Sequence, residues 1–234
     1  GLIHRALSSL FAPETVGFCD ADDINGDILD CGARVLVMPG AADLYYCEKL
    51  NGAGNKAIRN FVDQGGSYIG ICAGAYYGCA SLDWKNGEIS GPRELGFYEG
   101  LATGPVKKLY CENRYGFPDY AAGLLICPEI AEAPFPVCYA GGPFFQEPES
   151  DSSVKVIARY DIEDSPPAIL KIKYGQGQAI LSGPHIEYGP SHIRKAAYNN
   201  GRTYDRRIKL AQTLENGEKC RRALWSLLLE EVNE

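Results

Sequence analysis

The stretch Gly65-Gly66-Ser67-Tyr68-Ile69-Gly70-Ile71-Cys72-Ala73-Gly74-Ala75-Tyr76-Tyr77-Gly78 constrains the fold most, because an apolar run stops at a cysteine with glycine two residues to either side. Residues 67–71 have the character of a short buried strand and residues 73–82 can continue as a helix, so Cys72 falls on the turn between them. A turn that sharp needs small neighbours, and Gly70 and Gly74 remove the side chains that would collide. The pattern is a nucleophile elbow, with the sulfur at the carboxyl end of a sheet beside free backbone N–H groups. That arrangement suits acyl transfer. The plain alternative is a packed core cysteine, since free cysteine is among the most buried residue types and the chain has 9 of them. A second motif has to decide.

The rest of the chain has the pattern of an α/β domain. Residues 33–38 form an apolar β run ending at Pro39-Gly40, where a parallel strand would deliver its loop to the active edge. Helices are expected over 42–50 and 55–64, the second with Ala57, Ile58, Phe61 and Val62 on one face, and the elbow strand follows directly. Strand, helix and strand in that order imply a parallel crossover. Residues 83–106 are rich in Gly and Pro and are expected to form a β-rich insertion. Strand character also marks 16–19, 109–111, 123–127 and 136–140. Successive strands over 154–160, 168–174 and 178–182, joined by Ser165-Pro166-Pro167 and Gly175-Gln176-Gly177, imply an antiparallel section. Helices are expected at 2–11, 193–198, 204–214 and 217–232, and 20–30 reads as a loop or short helix.

At 234 residues the chain suits one sizeable α/β core, and 45% hydrophobic with 23% charged residues sets disordered and fibrous classes aside. A net charge of -7 argues against a phosphate-backbone partner. The odd number of cysteines, without a CxxC pair, points to reduced thiols and so to the cytoplasm. No apolar run reaches membrane-spanning length. The expected partners therefore exclude nucleic acid and membrane.

The second motif is Gln178-Ala179-Ile180-Leu181-Ser182-Gly183-Pro184-His185-Ile186-Glu187, a strand running into Gly-Pro and then a histidine two residues before a carboxylate. In extended chain, residues i and i+2 point the same way, so Glu187 can orient the imidazole while the ring reaches the Cys72 sulfur. With 3 histidines in the chain, one that ends an apolar strand beside an acid is informative. Its plain alternative is a satisfied histidine at a turn.

GICAGA paired with GPHIE resembles the class I glutamine amidotransferase superfamily, in which a Cys, His, Glu triad uses an HxE motif. MPGAADLYYC from Met38, LNGAGN from Leu50, GGSYIGICAGAYYG and YAGGPFF are similar to the amidotransferase-like N-terminal domain of eukaryotic biotin protein ligases and its stand-alone bacterial relatives. That similarity covers most of residues 33–190. The resemblance implies a flavodoxin-like, doubly wound α/β fold, mostly parallel with a β-rich antiparallel section, spanning 1–234 as a single domain. It implies Cys72 as nucleophile, His185 as base and Glu187 as orienting acid. The backbone N–H groups of Gly40 and Ala73 would form the oxyanion hole, and Asp43, Tyr46, Asn55 and Tyr77 would line the substrate pocket. Tyr45, Asn51, Phe144 and Phe145 match the same motifs. Core packing is the alternative for the aromatics, and helix capping for Asp43 and Asn55.

The departures are specific. Amidotransferases usually carry a glutamine shortly after the nucleophile, where this chain has Tyr76 and Tyr77, and the protease relatives place a histidine directly after the cysteine, where this chain has Ala73. The superfamily normally hands ammonia to a synthase, and no ligase module fits in the remaining residues. The leading expectation is a cysteine-dependent amidase or hydrolase acting on a small amide or acyl substrate, with no cofactor or metal and with a synthase or ligase as a possible partner. The other is a non-catalytic ligand-binding or regulatory domain that keeps the fold.

Overall fold

The computed structural model describes residues 2–9, 15–113, 116–198 and 204–230. Its main sheet has seven strands in the order β1-β2-β11-β10-β9-β6-β7. The first three are β1 (Val35–Met38), β2 (Ser67–Ile71) and β11 (Gly177–Ser182), and both pairings among them are parallel. Their registers match Met38 and Leu181 to Gly70, and Ser182 to Ile71, so all three strands end at one edge. The other four, β10 (Pro167–Tyr174), β9 (Val154–Tyr160), β6 (Ala121–Ile126) and β7 (Phe135–Tyr139), add antiparallel pairings. The α/β class is as expected, but the balance is not: the antiparallel section supplies more of the sheet than the parallel one. The two Gly/Pro turns between β9, β10 and β11 allow antiparallel neighbours without a crossover helix.

β2 is buried along its whole length because both faces are covered. Tyr68 packs with Ile58, Phe61 and Val62 of α4 (Ala53–Asp63), while Ile69 and Ile71 pack on the opposite face with Leu224, Trp225 and Leu228 of α8 (Glu218–Glu230). Alternate side chains of a strand serve opposite faces, which is why five consecutive residues can all be core.

A second sheet, in the order β4 (Ile89–Pro92), β3 (Cys79–Trp84), β5 (Tyr98–Gly104) and β8 (Phe144–Phe145), carries the expected β-rich insertion. It also corrects the helix expected over 73–82: α5 is only Ala73–Tyr77, and Cys79–Trp84 is strand β3. The helix stops at Gly78, whose carbonyl accepts from the amides of Phe97 and Tyr98 at the start of β5 (Tyr98–Gly104). A side chain at Gly78 would press on Leu181 at 2.6 Å. Apolar runs this short do not separate helix from strand, and pairing with β5 decides here. Residues 16–19 form no strand; Phe18 and Cys19 are exposed and have no sheet to join. Residues 109–111 likewise form no strand, and α1 covers Leu2–Leu7, with 10 and 11 outside the described residues. The acidic stretch is α2 (Ala21–Asn25), closed by a capping box between Asp20 and Asp23. Beyond β1 the chain enters α3 (Asp43–Leu50), and after β11 it passes through His185 to α6 (Pro190–Tyr198) and α7 (Tyr204–Glu215).

Candidate active site

Cys72 stands between β2 and α5 with φ 54° and ψ -105°, a backbone conformation that side-chain-bearing residues rarely adopt. Holding it costs on the order of 1–3 kcal/mol. Three hydrogen bonds fix it: its amide donates to the Ser182 carbonyl at 2.8 Å, and its carbonyl accepts from Ala75 and Tyr76. The glycines do what the sequence implies. A methyl group at Gly70 would overlap the Gly74 carbonyl, and one at Gly74 would overlap the carbonyl of Met38.

The other groups arrive from the adjacent strand ends. Gly40 follows β1 so closely that a methyl group there would overlap the His185 ring and sit 3.3 Å from Cys72 Cβ. The N–H groups of Gly40 and Ala73 have no acceptor among the described residues. His185 follows β11, and its Nδ1 meets Glu187 Oε1 at 2.7 Å, although Ile186 and Glu187 lie in a turn closed by the Tyr188 amide on the His185 carbonyl and not in the expected extended chain. Ile186 faces away, and its carbonyl accepts from Arg221 Nη1 at 2.8 Å and Trp225 Nε1 at 2.7 Å. Helix α8 thus grips the backbone between histidine and acid.

Glu187 is fully buried and its Oε2 has no partner among the described residues, so His185 is its main compensation. For the imidazole, burial works against the charged form, while the Glu187 carboxylate and the nearby Cys72 sulfur work for it. The second influence wins, and His185 is held well above its ordinary value of 6.5. Tyr188 stacks on the ring at 5.2 Å and Tyr120 meets it edge-on at 6.4 Å. The far strand β7 closes the other side: Cys138 bridges to His185, and the Ala140 carbonyl lies 3.6 Å from Cys72 Sγ. Cys72 and His185 are only 7% and 6% exposed. Two open surface grooves, of about 670 and 580 Å³, include neither residue.

The residues expected to line a substrate pocket have protein partners instead. Asp43 pairs with Arg93 Nε at 2.7 Å, largely buried. The Tyr46 hydroxyl donates to the Pro39 carbonyl at 2.8 Å. The hydroxyl of fully buried Tyr77 meets Asn55 Oδ1 at 2.6 Å and the Tyr46 carbonyl at 3.3 Å, and Asn55 Nδ2 donates to Glu94 at 2.8 Å. As arranged, neither the Tyr77 hydroxyl nor the Asn55 amide is open to a ligand. Sequence reading missed Arg93, Tyr120, Tyr188, Arg221 and Trp225. Only Arg221 and Trp225 carried a signal, lying four apart on one helical face. Among the described residues no group of three or more His, Cys, Asp or Glu is placed to hold a metal ion, and no helix is long and apolar enough to cross a membrane.

This geometry has relatives. A family model described as "Biotin-protein ligase, N terminal" matches residues 4–233. An uncharacterized protein of Chlamydia muridarum is 35% identical over 207 residues, covering 86% of this chain and 77% of that protein. A biotin–protein ligase of Schizosaccharomyces pombe is 33% identical over 178 residues, and there the match takes 73% of this chain but only 28% of the ligase. Among solved structures, a glutamine amidotransferase from Thermotoga maritima superposes with a TM-score of 0.50 at 16% identity, covering 86% of this chain and 78% of that one, a likeness of fold. The chain therefore belongs to the family of biotin–protein ligase N-terminal domains and has an amidotransferase-like fold.

Proposed function

We propose that this protein is a cysteine-dependent amidase or hydrolase acting on a small amide or other acyl substrate. The observation that supports it most is the placement of His185 between the buried Glu187 carboxylate and the Cys72 sulfur, with Gly40 packed against both Cys72 and His185. In this reading the Cys72 sulfur attacks the carbonyl carbon, and the oxygen takes the charge against the N–H groups of Gly40 and Ala73. His185 gives its proton to the leaving nitrogen as the C–N bond breaks, leaving a thioester. A water then attacks the thioester, giving its proton to His185, and the acid leaves as the thiol is restored. Glu187 holds the ring and its charge throughout. Tight closure around Cys72 favours a small acyl group. A synthase or ligase that consumes the released product, and a reducing compartment such as the cytoplasm for nine free cysteines, complete the reading.

The second reading is a non-catalytic ligand-binding domain, favoured by the low exposure of Cys72 and His185. The two separate on p-nitrophenyl acetate and a panel of small amides. The enzyme reading expects an acetyl adduct on Cys72 by intact and peptide mass, turnover above background, and loss of both in Cys72→Ser. The absence of adduct and turnover in a folded protein sinks it.

A further inference from the structure

We infer that Tyr46 is a positioning residue whose phenol sets the plane of the Pro39–Gly40 peptide and so aims the Gly40 N–H at the carbonyl oxygen of the bound acyl group; the inference rests on the hydrolase reading. A trans peptide points its C=O and its following N–H in opposite directions, so whatever holds one aims the other. The Tyr46 hydroxyl holds the Pro39 carbonyl at 2.8 Å, and the Gly40 amide is left without an acceptor beside Cys72 and His185. Gly40 cannot secure this peptide itself, because it has no side chain and tolerates many conformations.

The phenol is in turn braced. Its ring lies 5.4 Å from that of Tyr77, tilted by 53°, and the Tyr77 hydroxyl reaches the Tyr46 carbonyl. Tyr77 is anchored to Asn55, and Asn55 to Glu94, whose carboxylate also accepts from the Gly52 amide at 2.7 Å. Three of the four residues that family resemblance places in a substrate pocket, Tyr46, Tyr77 and Asn55, thus form a chain running from Glu94 to the loop after β1. Burial raises the Tyr46 phenol well above its ordinary range, which keeps it the neutral donor this role requires.

The experiment uses two reagents with different demands. Alkylation by iodoacetamide needs the sulfur but generates no oxyanion, whereas acylation by p-nitrophenyl acetate needs both. In Tyr46→Phe, acylation of Cys72 should fall by roughly 10- to 100-fold, near the effect of losing an oxyanion donor, while alkylation stays within about twofold. Tyr77→Phe, which loosens the brace and not the clamp, should fall by about 2- to 10-fold. In protein labelled with 15N-glycine, the Gly40 amide resonance should move in Tyr46→Phe more than that of Gly74. Parallel loss of both reactions, no loss of either, or a stationary Gly40 resonance overturns the assignment. Failure of the hydrolase reading shows separately, as a wild-type Cys72 that is alkylated but never acylated, and it takes the positioning role with it.

Discussion

The parallel and antiparallel parts of the main sheet differ in what they can offer chemistry. In β1, β2 and β11 every strand runs the same way, so three successive connections leave from one edge and bring Gly40, Cys72 and His185 together. From β11 onward neighbours alternate in direction, joined by turns such as 175–176, and most of these residues fill core. The antiparallel part reaches the site only where β7 curls round to bridge Cys138 with His185. Direction of strands, more than burial, separates the part that carries reactive groups from the part that holds them still.

The largest expected effect comes from matched glycines. Gly74→Ala drives a methyl group into the Met38 carbonyl between backbone segments that cannot yield, and should cost about 3 kcal/mol or more together with Cys72 reactivity. Gly123→Ala in β6 meets only Leu109 at 3.2 Å and Tyr139 at 3.5 Å, and should stay within about 1 kcal/mol in urea denaturation. Equal costs would break the contrast.

Next is a core truncation. Leu125→Ala in β6, at a fully buried position, should destabilise by about 2–5 kcal/mol while the folded fraction keeps wild-type alkylation of Cys72. Loss of reactivity in protein that is still folded would show that the antiparallel part tunes the chemistry directly.

The pH dependence sharpens the parallel side. Because His185 binds its proton more tightly folded than unfolded, its charged form contributes stability that is fully present below about pH 6.5 and disappears as pH rises through the higher folded value. Glu187→Gln removes the main group that raises it, so the loss should be smaller and complete at lower pH in thermal melts between pH 5 and 10. Superimposable profiles would deny the charged pair. The smallest effect is expected from Trp225→Phe, which deletes one hydrogen bond to the Ile186 carbonyl and should cost about 1 kcal/mol with a modest loss of ester acylation.

What could be read from the sequence follows the same division. The elbow and the HxE segment are local patterns whose chemistry depends on spacing, and both lie where expected, with Gly70 and Gly74 required for the reason given. The hairpins around 165–167 and 175–177 were legible from their turn residues. The insertion of β6 and β7 beside β9 was not, because sheet order is set by long-range packing that one sequence does not display. Residues 79–82 misread as helix for want of a period longer than the run. Tyr46, Asn55 and Tyr77 were expected to line a substrate pocket, but which way their polar ends point depends on partners 7 to 39 residues away. Arg221 and Trp225 share one helical face, but their grip on Ile186, 35 and 39 residues upstream, is a long-range contact that no local pattern specifies.

The most direct test of the central claim compares Cys72 with Cys31 in one native sample, following iodoacetamide alkylation at each by mass spectrometry at pH 6.5. Access alone favours exposed Cys31 over Cys72, which is 7% exposed. A working pair of sulfur and imidazole reverses that order: Cys72 should react at least about tenfold faster, and should lose the advantage in His185→Gln. If Cys72 is slower than Cys31 in the wild type, or keeps its lead without His185, the pair is not a nucleophile and its base.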